Sequence, residues 1–354
     1  MAHVATITID HTKVPGDLTD YVGLIVPDAS AGYSALYALC LEGGGDIRLF
    51  KSDDTTELAR EIVSFSVSAE TGEIHYKYSG TLSSSVDTDI HVYADGSSAD
   101  YAVTATYGRN AVWVGEDMVM HLQSATGEST GEYSPTNYGA TDTSGKVGGA
   151  QSFDNDYILP GTPSFGASLN TGRLSFWLKH SHSNNEYPLA GFNSGDGQGL
   201  QFTVNNGGAA NTIRFYLVPP GGYPNRISGT APAGTINDNV FHKISVSWER
   251  SSGSLSMYVD GVALSVSLSN GSTGGSFTAF DRSIPLGARR VSSLDGYYTG
   301  SIDEFRMKVG SRASANWEET EYNNQNSPTT FYSVAAVAGG SAAQAARRGV
   351  IMMM

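Results

Sequence analysis

A single cysteine, Cys40, stands in 354 residues. One thiol excludes an intrachain disulfide framework and any zinc cluster built on cysteines. Set in the apolar run ALYALCL, it reads as a small buried residue. Positive charge is also scarce: 21 Lys and Arg face 35 Asp and Glu, a net charge of −14. The basic residues do not cluster beyond the pairs Arg289-Arg290 and Arg347-Arg348. Without a basic face the phosphates of a nucleic acid find no partner, so no nucleic-acid binding is expected. No apolar run reaches the roughly 18 residues of a membrane-spanning helix. The opening MAHVATITID shows no basic segment followed by an apolar stretch, so no signal peptide is expected and the chain reads as made in the cytoplasm. Helical periodicity is scarce too.

What the chain has is glycine (42 residues), tyrosine (19) and many Ser, Thr and Asn, the composition of short strands joined by turns. Hydrophobic residues make up 40% and charged ones 16%, which places it among globular proteins. In the first hundred residues ATITID (5–10), YVGLIVP (21–27), ALYALCL (35–41), DIRLF (46–50), EIVSFSV (61–67), EIHYKY (73–78) and TDIHVYAD (88–95) alternate or run apolar between turn formers, predicting a β-sandwich. A second set follows, including MVMHLQ (118–123), AQSFDNDYI (150–158), RLSFWLKH (173–180), TIRFYLV (212–218), HKISVSWE (242–249), SIPLGA (283–288) and GSIDEFRMKV (300–309). So many strands with almost no helix predict two packed antiparallel sheets. Only ANWEETEYNN (315–324) reads as helical, with Asn316 as cap and Glu319 three residues on. From Ser327 the composition turns Ala/Gly-rich. The expected organisation is therefore a first domain over 1–108, a second over 109–326 and a tail over 327–354. The tail's apolar end, Val350, Ile351, Met352, Met353 and Met354, suggests a docking peptide for a neighbouring subunit.

The acidic pair in GSIDEFRM tests for catalysis. Strand alternation predicts that Asp303 shares a face with Phe305 and Met307, and Glu304 the other with Ile302 and Arg306. Carboxyls on opposite faces cannot flank one glycosidic bond, where about 5 to 9 Å between facing groups is needed. No Glu-x-Asp-x-x-Glu spacing occurs either, nor a GxSxG elbow, phosphate loop or dinucleotide fingerprint. No catalytic residue is expected and the protein reads as non-enzymatic. Asp154 and Asp156 read as acids of a turn. His180 and His182 are two imidazoles with no third ligand, a poor metal site. Loops rich in Gly, Asn and Pro carry Tyr187, Tyr223, Tyr297 and Tyr298, aromatic groups suited to glycan or protein contact.

Across residues 111 to 325, AQSFDNDYI, LSFWLKH, FHKISVSWERSSGSLSMYVDGVAL, IPLGA and YYTGSIDEFRM follow in the order of the concanavalin A-like, laminin-G-like jelly rolls, which this half resembles. The first half, with ITIDHTKVPGDLTDYVGLI, DIRLFKSDDTTELAREI and DIHVYADG, resembles a small β-sandwich module of bacterial envelope and phage proteins, although Ala94-Asp95-Gly96 stands where that module usually carries Tyr-Tyr-Gly. The resemblance implies an all-β protein: an N-terminal β-sandwich, then a jelly roll, one short helix and an extended tail. It also implies a structural Ca²⁺ on Asp303 as one reading, with backbone amides or a basic residue as the alternative partner. No other cofactor is expected. A lectin-like fold without an export signal or disulfide points to a phage virion component: a head decoration, fibre or tail protein released by lysis. Its expected partners are other virion proteins, copies of itself in a homo-oligomer, and host surface glycans. The alternatives are a bacterial envelope carbohydrate-binding module and a polysaccharide hydrolase or lyase.

Overall fold

The computed structural model describes residues 1–337, except 163, 164, 166–168, 193–196, 221, 274, 276, 278, 279, 281, 282, 291 and 292. The expected docking residues Val350, Ile351, Met352, Met353 and Met354 lie outside the described residues. Two compact units form. One holds residues 1–114 and the described residues from Glu319 onward, the other Gly115–Glu318.

The first unit contains β1 (Ala2–Ile9), β2 (Leu18–Ile25), β3 (Arg48–Lys51), β4 (Glu57–Ser66), β5 (Thr71–Leu82) and β6 (Thr88–Ala94). Alternation works as expected in β6, where Thr88, Ile90, Val92 and Ala94 are buried and the residues between them are not. The run ALYALCL does not form a strand. Ser34–Leu39 is a short helix, α1, that buries Leu36 and Tyr37. Ala and Leu are strong helix formers, and a short apolar run carries no period that separates helix from strand. A second short helix, α2 (Arg109–Val112), leads to Trp113, whose indole N–H donates to Glu61.

The second unit contains β7 (Met118–Met120), β8 (Thr136–Tyr138), β9 (Thr141–Ser144), β10 (Gly149–Asp154), β11 (Tyr157–Leu159), β12 (Thr171–Lys179), β13 (Glu186–Phe192), β14 (Gly199–Val204), β15 (Thr212–Val218) and β16 (Ile227–Pro232). These are followed by β17 (Phe241–Glu249), β18 (Ser254–Val259), β19 (Val262–Ala263), β20 (Ser267–Gly271), β21 (Arg289–Arg290), β22 (Leu294–Asp295) and β23 (Thr299–Val309). One sheet runs β19-β18-β17-β12-β23-β10-β9, with β7 also on β23; a second runs β20-β16-β15-β14-β13-β21-β22. All pairings are antiparallel except β13 with β21. Leu174, Phe176 and Leu178 of β12, Val246 and Trp248 of β17, and Phe202 and Phe215 of the other sheet belong to one buried cluster. SIPLGA (283–288) is not a strand; Leu286 alone bridges to Ile158 and Leu189.

The last helices and strand are α3 (Ala315–Asn326), α4 (Pro328–Phe331) and β24 (Tyr332–Ala336). Ser314, not Asn316, caps α3: its hydroxyl accepts from the Trp317 amide at 3.1 Å. The expected boundaries shift accordingly. Residues 109–114 and 319–326 group with the first unit, and residues 327–336 are no tail, because β24 pairs antiparallel with β1 from Ala5↔Ala336 to Ile9↔Tyr332. The reason lies in open strand edges, whose unpaired N–H and C=O groups need partners. β24 covers one edge of the seven-stranded path β2-β5-β4-β3-β6-β1-β24. At the other edge the Asn324 amide serves β2, accepting from Leu24 N at 2.7 Å and donating to Leu24 O at 2.9 Å.

Candidate functional site

Strands β12, β23, β10 and β9 lie side by side, and their register sets Lys179 against Ser301, Ser301 against Ser152 and Ser152 against Thr141. Direct cross-strand partners share a face. Phe153, next to Ser152, belongs to the core, so this row lies on the outer face of the sheet. There Ser301 and Ser152 floor a pocket of about 330 Å³. Lys179, Ser181, His182, Asn239, Asp154 and Thr143 stand around it. Hydroxyls, an amide, a carboxylate, an ammonium and an imidazole thus converge on one concavity within the size range of small-ligand sites.

Buried contacts hold the rim. Tyr298 is fully buried, and its hydroxyl donates to the Lys179 carbonyl at 2.7 Å. Gly300 permits this approach, since a Cβ there would stand 2.3 Å from that hydroxyl. The Asn239 amide donates to the His180 carbonyl at 2.9 Å. The side-chain N–H group of Asn205 donates to His180 Nε2 at 3.0 Å and to the His182 carbonyl at 2.7 Å. Because His180 accepts at Nε2, its ring proton sits on Nδ1, 3.7 Å from Glu186 Oε2. Burial drives the His180 pKa down to about 4, so the ring is neutral at pH 7 and this approach is no ion pair. Burial also raises the Glu186 carboxyl, which accepts from the Thr299 amide at 2.9 Å. Beside the rim, His242 sits between Asp260 (Nδ1 to Oδ2, 2.7 Å) and Asp238 (Nε2 to Oδ1, 3.2 Å). Its pKa is raised, first by the Asp260 hydrogen bond.

The acidic pair of β23 departs from plain alternation. Asp303 pairs with Trp177 and Arg306 with Ser175, so Glu304 and Phe305 together oppose Phe176. This is a β-bulge, with Glu304 in the left-handed region at φ 50°. The extra residue reverses the parity: Ile302, Phe305 and Met307 are core residues, and Asp303 does not share their face. The expected grouping of Asp303 with Phe305 and Met307 is therefore overturned. Both carboxylates are fully buried and committed to different partners. Asp303 Oδ2 accepts from the amides of Lys146 (2.7 Å) and Val147 (2.9 Å) in the turn between β9 and β10. Gly145 allows this, since a Cβ would lie 2.6 Å from that oxygen. Glu304 binds His121 and Arg306, the latter at 2.6 Å. An oxygen facing two N–H dipoles suits an amide acceptor; a calcium ligand set would need several further oxygens.

The four tyrosines do not form one surface. Tyr298 is buried under the pocket rim and corrected from contact residue to support, its pKa pushed far up by burial. Tyr187 lies in β13, not in a loop, with the Arg289 guanidinium 4.6 Å over its ring and its hydroxyl accepting from Asn185 at 3.0 Å. Tyr223 lies in the 3₁₀ turn Tyr223–Asn225; its side chain is outside the described residues. Tyr297 is half-buried, 6.5 Å from Tyr157, which stacks on the exposed Tyr138 at 4.5 Å. Sequence reasoning missed Tyr138, Tyr157 and most of the pocket, because its residues come from five separated segments. Only the HSH run carried a signal. In the first unit Asp10, His11 and Asp87 offer ligand atoms within 4.8 Å of one another, with His11 Nδ1 hydrogen-bonded to Asp87 at 2.6 Å. Among the described residues no helix is long and apolar enough to cross a membrane.

Residues 153–316 match the family described as the Concanavalin A-like lectin/glucanases superfamily. No curated protein sequence matches the chain. Among solved structures, the binding domain of Paraclostridial Mosquitocidal Protein 1 is similar at 12% identity and a TM-score of 0.45, over 59% of this chain; the chain spans about half of that domain, 52%. Domain 4 of AbnA, a GH43 extracellular arabinanase from Geobacillus stearothermophilus in complex with arabinotriose, is similar at 17% identity and a TM-score of 0.43, over 58% of this chain and 98% of that one. The Ruminococcus gnavus IT-sialidase CBM40 bound to alpha2,3 sialyllactose gives 13% identity and a TM-score of 0.33, over 45% of this chain and 91% of that one. The protein is thus mostly β, with several antiparallel sheets and few short helices; residues 153–316 form a concanavalin A-like domain, and an N-terminal β-sandwich module precedes it in the sequence.

Proposed function

We propose that the protein is a non-catalytic carbohydrate-binding protein that holds saccharide in the outer-face pocket of its second unit. The observation that carries this reading is the pocket's lining. Thr143, Ser152, Ser181, Thr299, Ser301 and Asn239 offer alternating donors and acceptors over one concave surface. Sugar hydroxyls, each both donor and acceptor, need such a lining. The commitment of Asp303 and Glu304 to other partners supports binding without turnover. The test is a panel of oligosaccharides titrated against the full chain, with product analysis. Saccharide binding with no cleavage is expected, and Ser152→Trp, which fills the pocket floor, should abolish it without moving the thermal transition. Cleavage of any member would overturn the non-catalytic part.

A virion surface is the setting we propose for this activity, as a head decoration, fibre or tail component touching host glycans. The lectin-like fold and the apolar residues Val350–Met354 of the sequence support it. Co-sedimentation with assembled particles, lost on deleting residues 340–354, is the expected result; a monomer that ignores particles would leave the envelope carbohydrate-binding module as the setting.

A further inference from the structure

We infer that the outer-face pocket selects acidic saccharides, with Lys179 as the specificity-determining residue for a sugar carboxylate. This rests on the glycan-binding reading above and names its ligand class. The chain carries a net charge of −14, so a cation left over in a pocket is against the overall balance. Lys179 is such a cation. Among the described residues its ammonium makes no hydrogen bond or ion pair and lies 5.8 Å over the Phe241 ring. His182, also on the lining, has no hydrogen-bond partner for its ring nitrogens among the described residues, and its one ring contact is His180 at 5.9 Å. An ammonium and an imidazole therefore present unspent N–H donors to the same concavity. The lining holds one carboxylate, Asp154, which takes a hydrogen bond from Asn155 at 3.2 Å; Glu186, outside the lining, interacts electrostatically with His182.

The placement of Lys179 is built and not incidental. Its carbonyl receives the buried Tyr298 hydroxyl, and its backbone pairs with Ser301 at the end of β12. The next residues, His180 to His182, are tied by Asn205 and by the Asn239 amide. A carboxylate seated between Lys179 and His182 would leave the ring hydroxyls of the same sugar over Ser301, Ser152 and Thr143. A neutral sugar would satisfy the hydroxyl row and leave both N–H donors unused. Charge pairing in such a partly desolvated site gives discrimination as well as affinity.

The experiment is isothermal titration of the full chain with trigalacturonate, 3′-sialyllactose and their neutral counterparts galactotriose and lactose, at low and high salt. At least one acidic member is expected to bind about tenfold or more tightly than its neutral counterpart, with the difference shrinking as salt rises. Lys179→Gln should bring the affinity for the acidic member down to that for its neutral counterpart, and Lys179→Arg should restore part of the difference. Equal affinity for acidic and neutral members, or a preference that survives Lys179→Gln with the thermal transition intact, would overturn the acidic selectivity and leave the glycan reading standing. Failure of every saccharide, acidic and neutral, to bind the wild-type chain would overturn both.

Discussion

The two units complete their β-sheets by different routes. The second is continuous in sequence, Gly115–Glu318, and its two sheets enclose one large cluster of Leu, Phe, Trp and Met side chains. The first is assembled from both ends of the chain: β1 takes its outer partner, β24, from more than three hundred residues away. The continuous unit closes its distant pairings, such as β12 with β23, within its own span, whereas the split one depends on a late segment finding an open edge. The split unit should therefore be the more fragile to truncation, and the continuous one to damage in its own buried polar groups.

The largest expected effect comes from ending the chain after Asn326. This removes the buried Phe331 and Tyr332 and the whole β24 ladder. Two buried aromatic residues alone are worth about 5 kcal/mol, so the first unit's melting transition should fall by roughly 15 °C or more. In calorimetry the second unit's transition should stay in place. If both fall together, or neither does, the comparison breaks.

Next in size is Glu304→Ala. It takes a carboxylate from Arg306, itself 3% exposed, and from His121. Breaking a buried charge pair in this way costs about 3 kcal/mol. The second unit's transition should drop and the first unit's should not, and Glu304→Gln should cost less. Chemical denaturation followed by tryptophan fluorescence measures both.

The smallest effect is a pH dependence. The pKa of His242 is raised in the fold by Asp260. Its contribution is therefore complete below the unfolded value of about 6.5 and lost as pH rises through the higher folded value. His242→Gln should lower the second unit's melting temperature at pH 5.5 and change it little at pH 9. This partly buried pair is worth on the order of 1 kcal/mol. His180 acts in the opposite sense, because its pKa near 4 lies below the unfolded one, and its contribution is lost as pH falls from 6.5 toward 4. An effect of His242→Gln that grows with pH would contradict the assigned clamp.

Much of the architecture was legible because strand alternation is written locally. The runs RLSFWLKH, TIRFYLV and HKISVSWE all became strands, as did most of the first-half runs. Helix α3 was legible from its composition, though its cap was misplaced by two residues. ALYALCL was not, since a short apolar run has no readable period. The pocket was invisible because register across three strands, not spacing along one, brings Lys179, Ser301 and Ser152 together. Tyr298 misled for the opposite reason. Its glycine-rich surroundings suggest an open loop, whereas Gly300 serves to let the backbone close over its hydroxyl.

The single additional residue at Glu304 works like a phase inversion within one strand. Before it, even-numbered positions such as Ile302 look inward; after it, odd-numbered ones such as Phe305 and Met307 do. One continuous segment can thereby offer Ser301 to the pocket-lining exterior and still deliver its hydrophobic payload inside a few positions later. Any comparison of this strand with a distant relative must count separately on each side of that point, or it will mistake lining for core.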